Sequence, residues 1–488
     1  MPATLLATIK RNFFFNFLLS CAQVLFPLFS IPYISRILDP EGVGRVGFID
    51  SFTYYFIVLA ELGITVYGIR EVASRRNDAV QLQKLVAELL LLHMISSGVA
   101  LLFYVAGVAI LWEKIGDSRL VLFSVLFFVV NFFSCDWYFI GREKFGFIAI
   151  RTIIVRLLAL LSIFLLIDQP ADFYLYYGII AASGIASILW NIAILLEEMP
   201  VSLRSANWRQ HLPKVMITYL IAILYSIPIW LDNVLLGLVS TATAVGYYAF
   251  AVKLIRTGTT VLTDSFLVFF PRIVSLAGEN DEKQLQEKLL MNIQFILLFA
   301  VPMGAGLFLL ADDFTSVFYG SGFAMLQNDL KILALFPLLK GISLFLSNPV
   351  LIAHRFERIF LNNLLIGSVF FLITALLLGH WKEDAGVSTT LVLTEVLLII
   401  LNYLSVRRLL PMIRIFDWKS FFHAVAGAML FIPLTYLTGK LIADPLPRLM
   451  VSVVICVLFY FGFITFIVRN EFALKLKSTL FRSISRSV

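Results

Sequence analysis

Charge is scarce in this chain: only 14% of its 488 residues are Asp, Glu, Lys or Arg, against about a quarter in globular domains. With 60% hydrophobic residues and a mean hydropathy of +0.94, that scarcity excludes an ordinary soluble domain. Cysteine is scarcer still. Cys21, Cys135 and Cys456 all fall in apolar stretches, which argues against a disulfide framework or a cysteine metal cluster and for small buried hydrophobes. The run Leu18-Leu19-Ser20-Cys21 after Lys10-Arg11 mimics a cleavable lipoprotein signal, but Asn12 and Asn16 interrupt its apolar region. The chain has neither a GxxxxGK(S/T) phosphate loop nor an HExxH pair, so ATP hydrolysis and zinc chemistry lack their residues. A membrane-embedded transferase would show a carboxylate-rich or histidine-bearing loop, whereas residues 312–323 read DDFTSVFYGSGF, short and aromatic. No catalytic residue, cofactor or metal site is expected.

What the chain has instead is long apolar runs. A run of about 18 residues or more crosses a hydrocarbon core roughly 30 Å thick. Fourteen such runs are expected, the first near 11–36 and the last near 447–468. This predicts an all-α, polytopic membrane protein of about fourteen transmembrane helices. The net charge of +7 is then a matter of sidedness and not of nucleic-acid binding. With the N-terminus in the cytoplasm, 26 of the 38 Lys and Arg fall on the inner side, seven on the outer side and five within spans. Both termini are expected to be cytoplasmic.

Shifting the sequence by 202 positions aligns Val43-Gly44 with Val245-Gly246, Phe48 with Phe250 and Arg70 with Arg272. Ser30-Ile31-Pro32 recurs as Ser226-Ile227-Pro228. A repeat of about six helices is the pattern of transporters whose halves rock about a central site. The expected organisation is an N-lobe over 1–200, a C-lobe over 201–416, and two further helices with a basic tail over 417–488.

Polar residues inside apolar spans mark candidate sites. Asn12, Asn16, Ser20, Gln23, Pro27 and Ser30 follow at steps of three or four, on one helical face. That stripe either lines a wet cavity or seams one helix to its neighbour. Lys253, Arg256, Thr257, Thr260 and Asp264 form a polar face about 16 Å long, read as a cationic site for an anion or as an internal ion pair. Lys340 is similarly central, before Asn348-Pro349, and Arg156 is deep. The acids Glu61, Asp136, Asp232, Asp264 and Glu395 are either counter-ions or carriers of a coupling proton or sodium ion. Glu88, Arg151 and Lys331, nearer an interface, read as snorkelling side chains. Asp39-Pro40-Glu41 reads as a helix start, with Asp39 as N-cap. Arg36 and Arg45 fall on the outer rim.

The segments IPYISRILDPEGVGRVGF (31–48), Tyr67-Gly68-Ile69-Arg70-Glu71 and Asp136-Trp137-Tyr138-Phe139-Ile140-Gly141-Arg142-Glu143 resemble bacterial polysaccharide transporters. These are the O-antigen-type flippases of the multidrug/oligosaccharidyl-lipid/polysaccharide exporter superfamily. Where the family usually has LGPEG this chain reads Leu38-Asp39-Pro40-Glu41-Gly42. The resemblance implies fourteen helices in two lobes, in a bacterial cytoplasmic membrane. It implies translocation of an undecaprenyl-diphosphate-linked oligosaccharide to the outer leaflet, in company with glycan polymerase and glycosyltransferases and as a monomer. A cationic central cavity is implied, for which Arg256, Lys253 and Lys340 are best placed; Arg156, Arg36, Asn16 and Gln23 complete the expected substrate contacts. Glu61, Asp232, Asp264 and Glu395 are the expected ion-coupling acids. The rivals are a peptidoglycan-precursor flippase and a cation-coupled multidrug antiporter of the same fold.

Overall fold

The computed structural model describes residues 3–204, 206–279, 282–470 and 474, and no strand occurs among them. The chain divides into two compact units, Met1–Ala249 and Phe250–Val488. The first holds α1 (Ala3–Ile37), α2 (Pro40–Glu61), α3 (Ile64–Arg75), α4 (Ala79–Ile110), α5 (Trp112–Ile115), α6 (Ser118–Asn131), α7 (Asp136–Gly141), α8 (Phe145–Leu166), α9 (Phe173–Glu198), α10 (Leu212–Ser226) and α11 (Asp232–Val239). The boundary falls inside α12 (Ala242–Glu279). The second holds α13 (Glu282–Leu309), α14 (Ala311–Phe318), α15 (Leu326–Leu333), α16 (Phe336–Phe345), α17 (Glu357–Leu409), α18 (Trp418–Met429), α19 (Phe431–Leu441) and α20 (Pro445–Gly462).

Ten helical stretches among the described residues are long and apolar enough to cross a membrane, and Cys21–Ile37 and Ser118–Asn131 are shorter apolar helices. The expected all-α, polytopic class is what the chain folds into. Leu102, Phe103, Leu157, Leu158, Leu377 and Leu458 are exposed, as lipid-facing side chains must be. The three cysteines are free, with Cys135 and Cys456 buried.

Local chemistry sets the breaks between helices. Asp39, extended at φ −78°, ψ 163°, caps α2 by accepting the Gly42 amide at 2.7 Å, and Pro40 occupies the first helical position as expected. Thr241 does the same for α12, accepting the Ala244 amide at 3.2 Å. α2 and α3 part at Leu62 and Gly63, both at positive φ. At Gly63 a Cβ would lie 2.8 Å from the Tyr219 amide nitrogen, so glycine is required there. α17 is two helices joined at Glu383, whose φ of 51° and ψ of −128° are strained for a residue with a side chain. Two π-helical turns, Ile227–Leu231 and Leu346–Ile352, contain Pro228 and Pro349, whose missing amides loosen the hydrogen-bond ladder.

Each unit has its own core. In the first, the Tyr104 hydroxyl donates to Ser124 Oγ at 2.7 Å and lies 3.0 Å from Thr53 Oγ1, pinning α4 to α6 and α2. In the second, Tyr460 donates to the Leu298 carbonyl at 2.7 Å within a cluster that includes Val301, Ala424, Phe431 and Cys456.

Candidate functional site

In the first unit, Asp50, Tyr54 and Glu61 follow at steps of four and seven along α2 and so share a face. Tyr54 stacks on Trp230, with ring centroids 4.5 Å apart and planes 11° apart. Trp230 stands in the π-helical turn after Pro228, a distortion often found at functional sites. Asp50, Arg156 and Glu61 are the charged groups that act on Tyr54. Arg156 Nη1 donates to the Ala22 carbonyl at 2.9 Å, and its guanidinium lies 5.8 Å from the centre of the Phe26 ring. Glu61 accepts from the Thr65 hydroxyl at 3.1 Å. Two expected residues, Arg156 and Glu61, are thus among the charges that act on Tyr54, while their own hydrogen bonds go to Ala22 and Thr65.

The other expected residues of this unit lie elsewhere. Gln23 is exposed on α1, and Arg36, also exposed, donates to the Pro32 carbonyl one turn back. Asp232 is fully buried; it accepts from the Tyr248 hydroxyl at 2.8 Å and from the Asn233 amide at 2.8 Å. The side chains of Asn12, Asn16 and Ser20 lie outside the described residues, as does that of Asp264.

In the second unit Lys253 and Arg256 are half-buried on α12. Thr257 and Thr260 turn back onto their own helix, donating to the carbonyls of Lys253 at 2.7 Å and Arg256 at 2.8 Å. That leaves the polar face narrower than its composition suggests. Two expected residues meet directly, Lys340 and Glu395: Nζ donates to Oε1 at 2.7 Å. The Lys340 side chain is 18% exposed and that of Glu395 only 3%. Glu395 Oε2 is buried without a hydrogen-bond partner among the described residues. One residue expected to meet substrate and one expected to carry the coupling ion are therefore partners here. Below Lys340 the chain enters the π-helical turn Leu346–Ile352.

Three side chains read as snorkelling are paired instead. Arg151, 7% exposed, donates to Asp136 at 2.9 Å and also to Asn191. Glu88 is buried against His211 Nε2 at 2.9 Å, and His211 Nδ1 meets the Tyr67 hydroxyl at 2.9 Å. Lys331 donates to Asp312 at 2.7 Å. Depth along a helix does not disclose such partners, because they come from distant segments.

An apolar cavity of about 570 Å³ opens in the second unit between α13, α16 and α18, lined by Gly304, Phe308, Leu335, Phe421 and Met429, with Lys331 on its wall. Trp230 was not singled out from the sequence; its signal is its place two residues after the repeated Ser-Ile-Pro. Asp329, fully buried on α15, was also missed, since an acid in a helix's first turn ordinarily reads as a dipole partner.

Known proteins resemble this chain at three levels, family, sequence and fold. A family model described as "Polysaccharide biosynthesis protein" matches residues 9–277. A protein named "Putative O-antigen transporter" in Shigella dysenteriae is 25% identical over 415 residues, 80% of this chain and 98% of that one. Its namesake in Escherichia coli (strain K12) is 22% identical over 408 residues, 82% of this chain and 97% of that one. Among solved structures, the lipid II flippase MurJ in an inward closed conformation superposes with a TM-score of 0.67 at 14% identity, covering 95% of this chain and all of that one. An inward-facing multidrug resistance MATE family transporter of the MOP superfamily gives 0.60 at 17% identity, covering 79% and 94%. At those identities the two structures speak to the fold.

Proposed function

This chain belongs to the polysaccharide biosynthesis protein family, and from that premise we propose that it is a flippase carrying a lipid-linked oligosaccharide from the cytoplasmic to the outer leaflet. It is a transporter and not an enzyme. The cargo is an undecaprenyl-diphosphate-linked repeat unit of an O-antigen, capsule or exopolysaccharide, and the membrane is the bacterial inner membrane with both chain ends in the cytoplasm. The N-lobe over 1–200 and the C-lobe over 201–416 alternate access, helped by a proton or sodium gradient.

The reading rests on one physical demand. A diphosphate is prohibitively costly in bare hydrocarbon, so cations must compensate it within the span. Lys253, Arg256 and Lys340 supply them in the second unit and Arg156 in the first, with Arg36, Asn16 and Gln23 as further contacts. Glu61, Asp232, Asp264 and Glu395 are the coupling acids. The single observation that carries most weight is the Lys340–Glu395 pair, a part-exposed cation held by a buried acid. An anionic headgroup that takes Lys340 leaves Glu395 to be neutralised by a proton, which links cargo to coupling ion. The apolar cavity beside Lys331 suits a lipid chain. Membrane lipids, a glycan polymerase and glycosyltransferases are its company, and it works as a monomer.

Replacing Arg256 by Ala in the source cell tests this. Surface glycan should disappear while the protein persists in the membrane; undiminished display would remove Arg256 from the site. The second reading is a peptidoglycan-precursor flippase, favoured by the MurJ superposition over the whole of that chain. Rescue of cells depleted of their lipid II flippase, with no effect on surface glycan, would favour it.

A further inference from the structure

Asp329 is fully buried on α15, and its Oδ1 accepts from the Ser388 hydroxyl at 2.6 Å. Its Oδ2 is buried with no hydrogen-bond partner among the described residues. The charged group that acts on it is the carboxyl of Asp384, half-buried in the first turn after the break at Glu383. Lys331 and Lys382, each two residues along the chain from one of these acids, and Arg448 on α20 have other partners. Lys331 holds Asp312 at 2.7 Å, Lys382 lies 4.6 Å from the centre of the Trp381 ring, and Arg448 holds Asp313 at 2.9 Å. His380 and Glu383 on the same helix are exposed, and α13 brings no titratable side chain over residues 289–309.

Asp384 lies one turn before Ser388 on the same face of α17, and Ser388 holds Asp329, so the two carboxyls are brought to one side of that helix. Two carboxylates so placed at a buried site cannot both remain ionised without a positive charge to share. The described residues hold no group of three or more acids, histidines or cysteines fit for a metal ion, and one of the few oxygens present already receives a hydroxyl hydrogen. A proton meets the demand with no further ligands. We propose that Asp329 and Asp384 share one proton and form a proton-loading site in the second unit, distinct from the acids assigned above.

Register gives the site its place. Asp329 precedes Lys340 by eleven residues, and Asp384 precedes Glu395 by eleven; both α15 and α16 pack on α17. The carboxyl pair and the Lys340–Glu395 pair are thus two rungs between the same neighbouring strands of helix, roughly 16 Å apart along α17. The hydroxyls of Ser388, Thr390 and Thr394 are buried along the interval. Under the orientation proposed above, which this step rests on, the carboxyl rung lies at the outer end. A proton taken up there has Glu395 as its next acceptor, and a protonated Glu395 releases Lys340 for an anionic headgroup.

Infrared spectra of the purified full-length protein in lipid nanodiscs test the site without any cargo, so their outcome is independent of the proposed transport. At neutral pH the carbonyl stretch of a protonated carboxylic acid should be present, and Asp329→Asn, which keeps the shape of the neutral acid and the bond from Ser388, should remove it. A spectrum without that band, a band unchanged in Asp329→Asn, or a band abolished when sodium replaces potassium would each overturn the proposal. The wild-type protein gives a second reading if the variant does not accumulate. A hydrophobic carbodiimide, which attacks protonated carboxyls, should label Asp329 or Asp384 on peptide mapping, and less at alkaline pH; labelling of neither overturns the site.

Discussion

Gly44 and Gly246 occupy reciprocal positions at a helix crossing: a Cβ on Gly44 would lie 1.7 Å from the Ala242 carbonyl oxygen, and one on Gly246 1.9 Å from that of Pro40. The two residues are the pair that the 202-residue repeat aligns. Each glycine therefore sits against the first turn of the other's helix, and the backbones touch because neither has a side chain.

That crossing predicts an asymmetric glycine scan. Gly44→Ala and Gly246→Ala should each lower stability by about 1–3 kcal/mol, since backbone atoms cannot swing aside. Gly98→Ala, where nothing lies within 4 Å, should instead gain up to about 1 kcal/mol from helix propensity. Thermal melting in detergent measures all three, and equal melting temperatures for Gly44→Ala and wild type would refute the close approach.

The aromatic stack gives a second expectation. Trp230→Ala removes the parallel contact with Tyr54 and should cost about 1 kcal/mol beyond the lost area, whereas Trp230→Phe keeps a ring there and should cost less. If the two variants melt together, the ring contact contributes nothing.

Acid tests the cap of α18. Asp417 accepts from Gln294 at 2.6 Å and from the Ser420 hydroxyl at 2.7 Å. Burial pushes its carboxyl up, but these donors and the Ser420 and Lys419 amides win and hold it below the ordinary 3.8. A depressed folded value means that the stabilisation is complete above the unfolded value and fades as pH falls through the folded one. The melting difference between wild type and Asp417→Ala should accordingly be flat near neutrality and shrink only below about pH 4. A difference that already shrinks near neutral pH would assign the cap to another group.

Local signals were legible in the sequence and distant partners were not. The Asp39 cap, its counterpart Thr241 and the Gly44–Gly246 alignment follow from residue type and spacing, which are properties of one segment. The fate of Glu88 depended on His211, 123 residues away, and that of Lys340 on Glu395, 55 residues away. Thr257 and Thr260 read as part of the polar face of α12 because spacing fixes the face a side chain leaves from, but not the rotamer that returns it to its own carbonyls. Asp329 escaped because one acid near a helix start has an ordinary explanation until its neighbours are seen.

The Lys340–Glu395 pair carries the last prediction, and its sign separates a structural contact from a spare charge. Lys340→Ala leaves Glu395, 3% exposed, without the cation that faces it. Removing one partner of a buried pair costs about 3–5 kcal/mol, because the remaining charge is left uncompensated. Replacing both, as Lys340→Ala with Glu395→Gln, removes that charge as well, so the double variant should melt above Lys340→Ala, and Glu395→Gln alone completes the cycle. The cycle should then return a coupling energy of about 0.5–3 kcal/mol. Strictly additive losses would mean that the two side chains do not act on each other in the membrane. A recovered fold with transport still absent would show that the pair serves movement of cargo and not only packing, since stability and activity would have parted in one molecule.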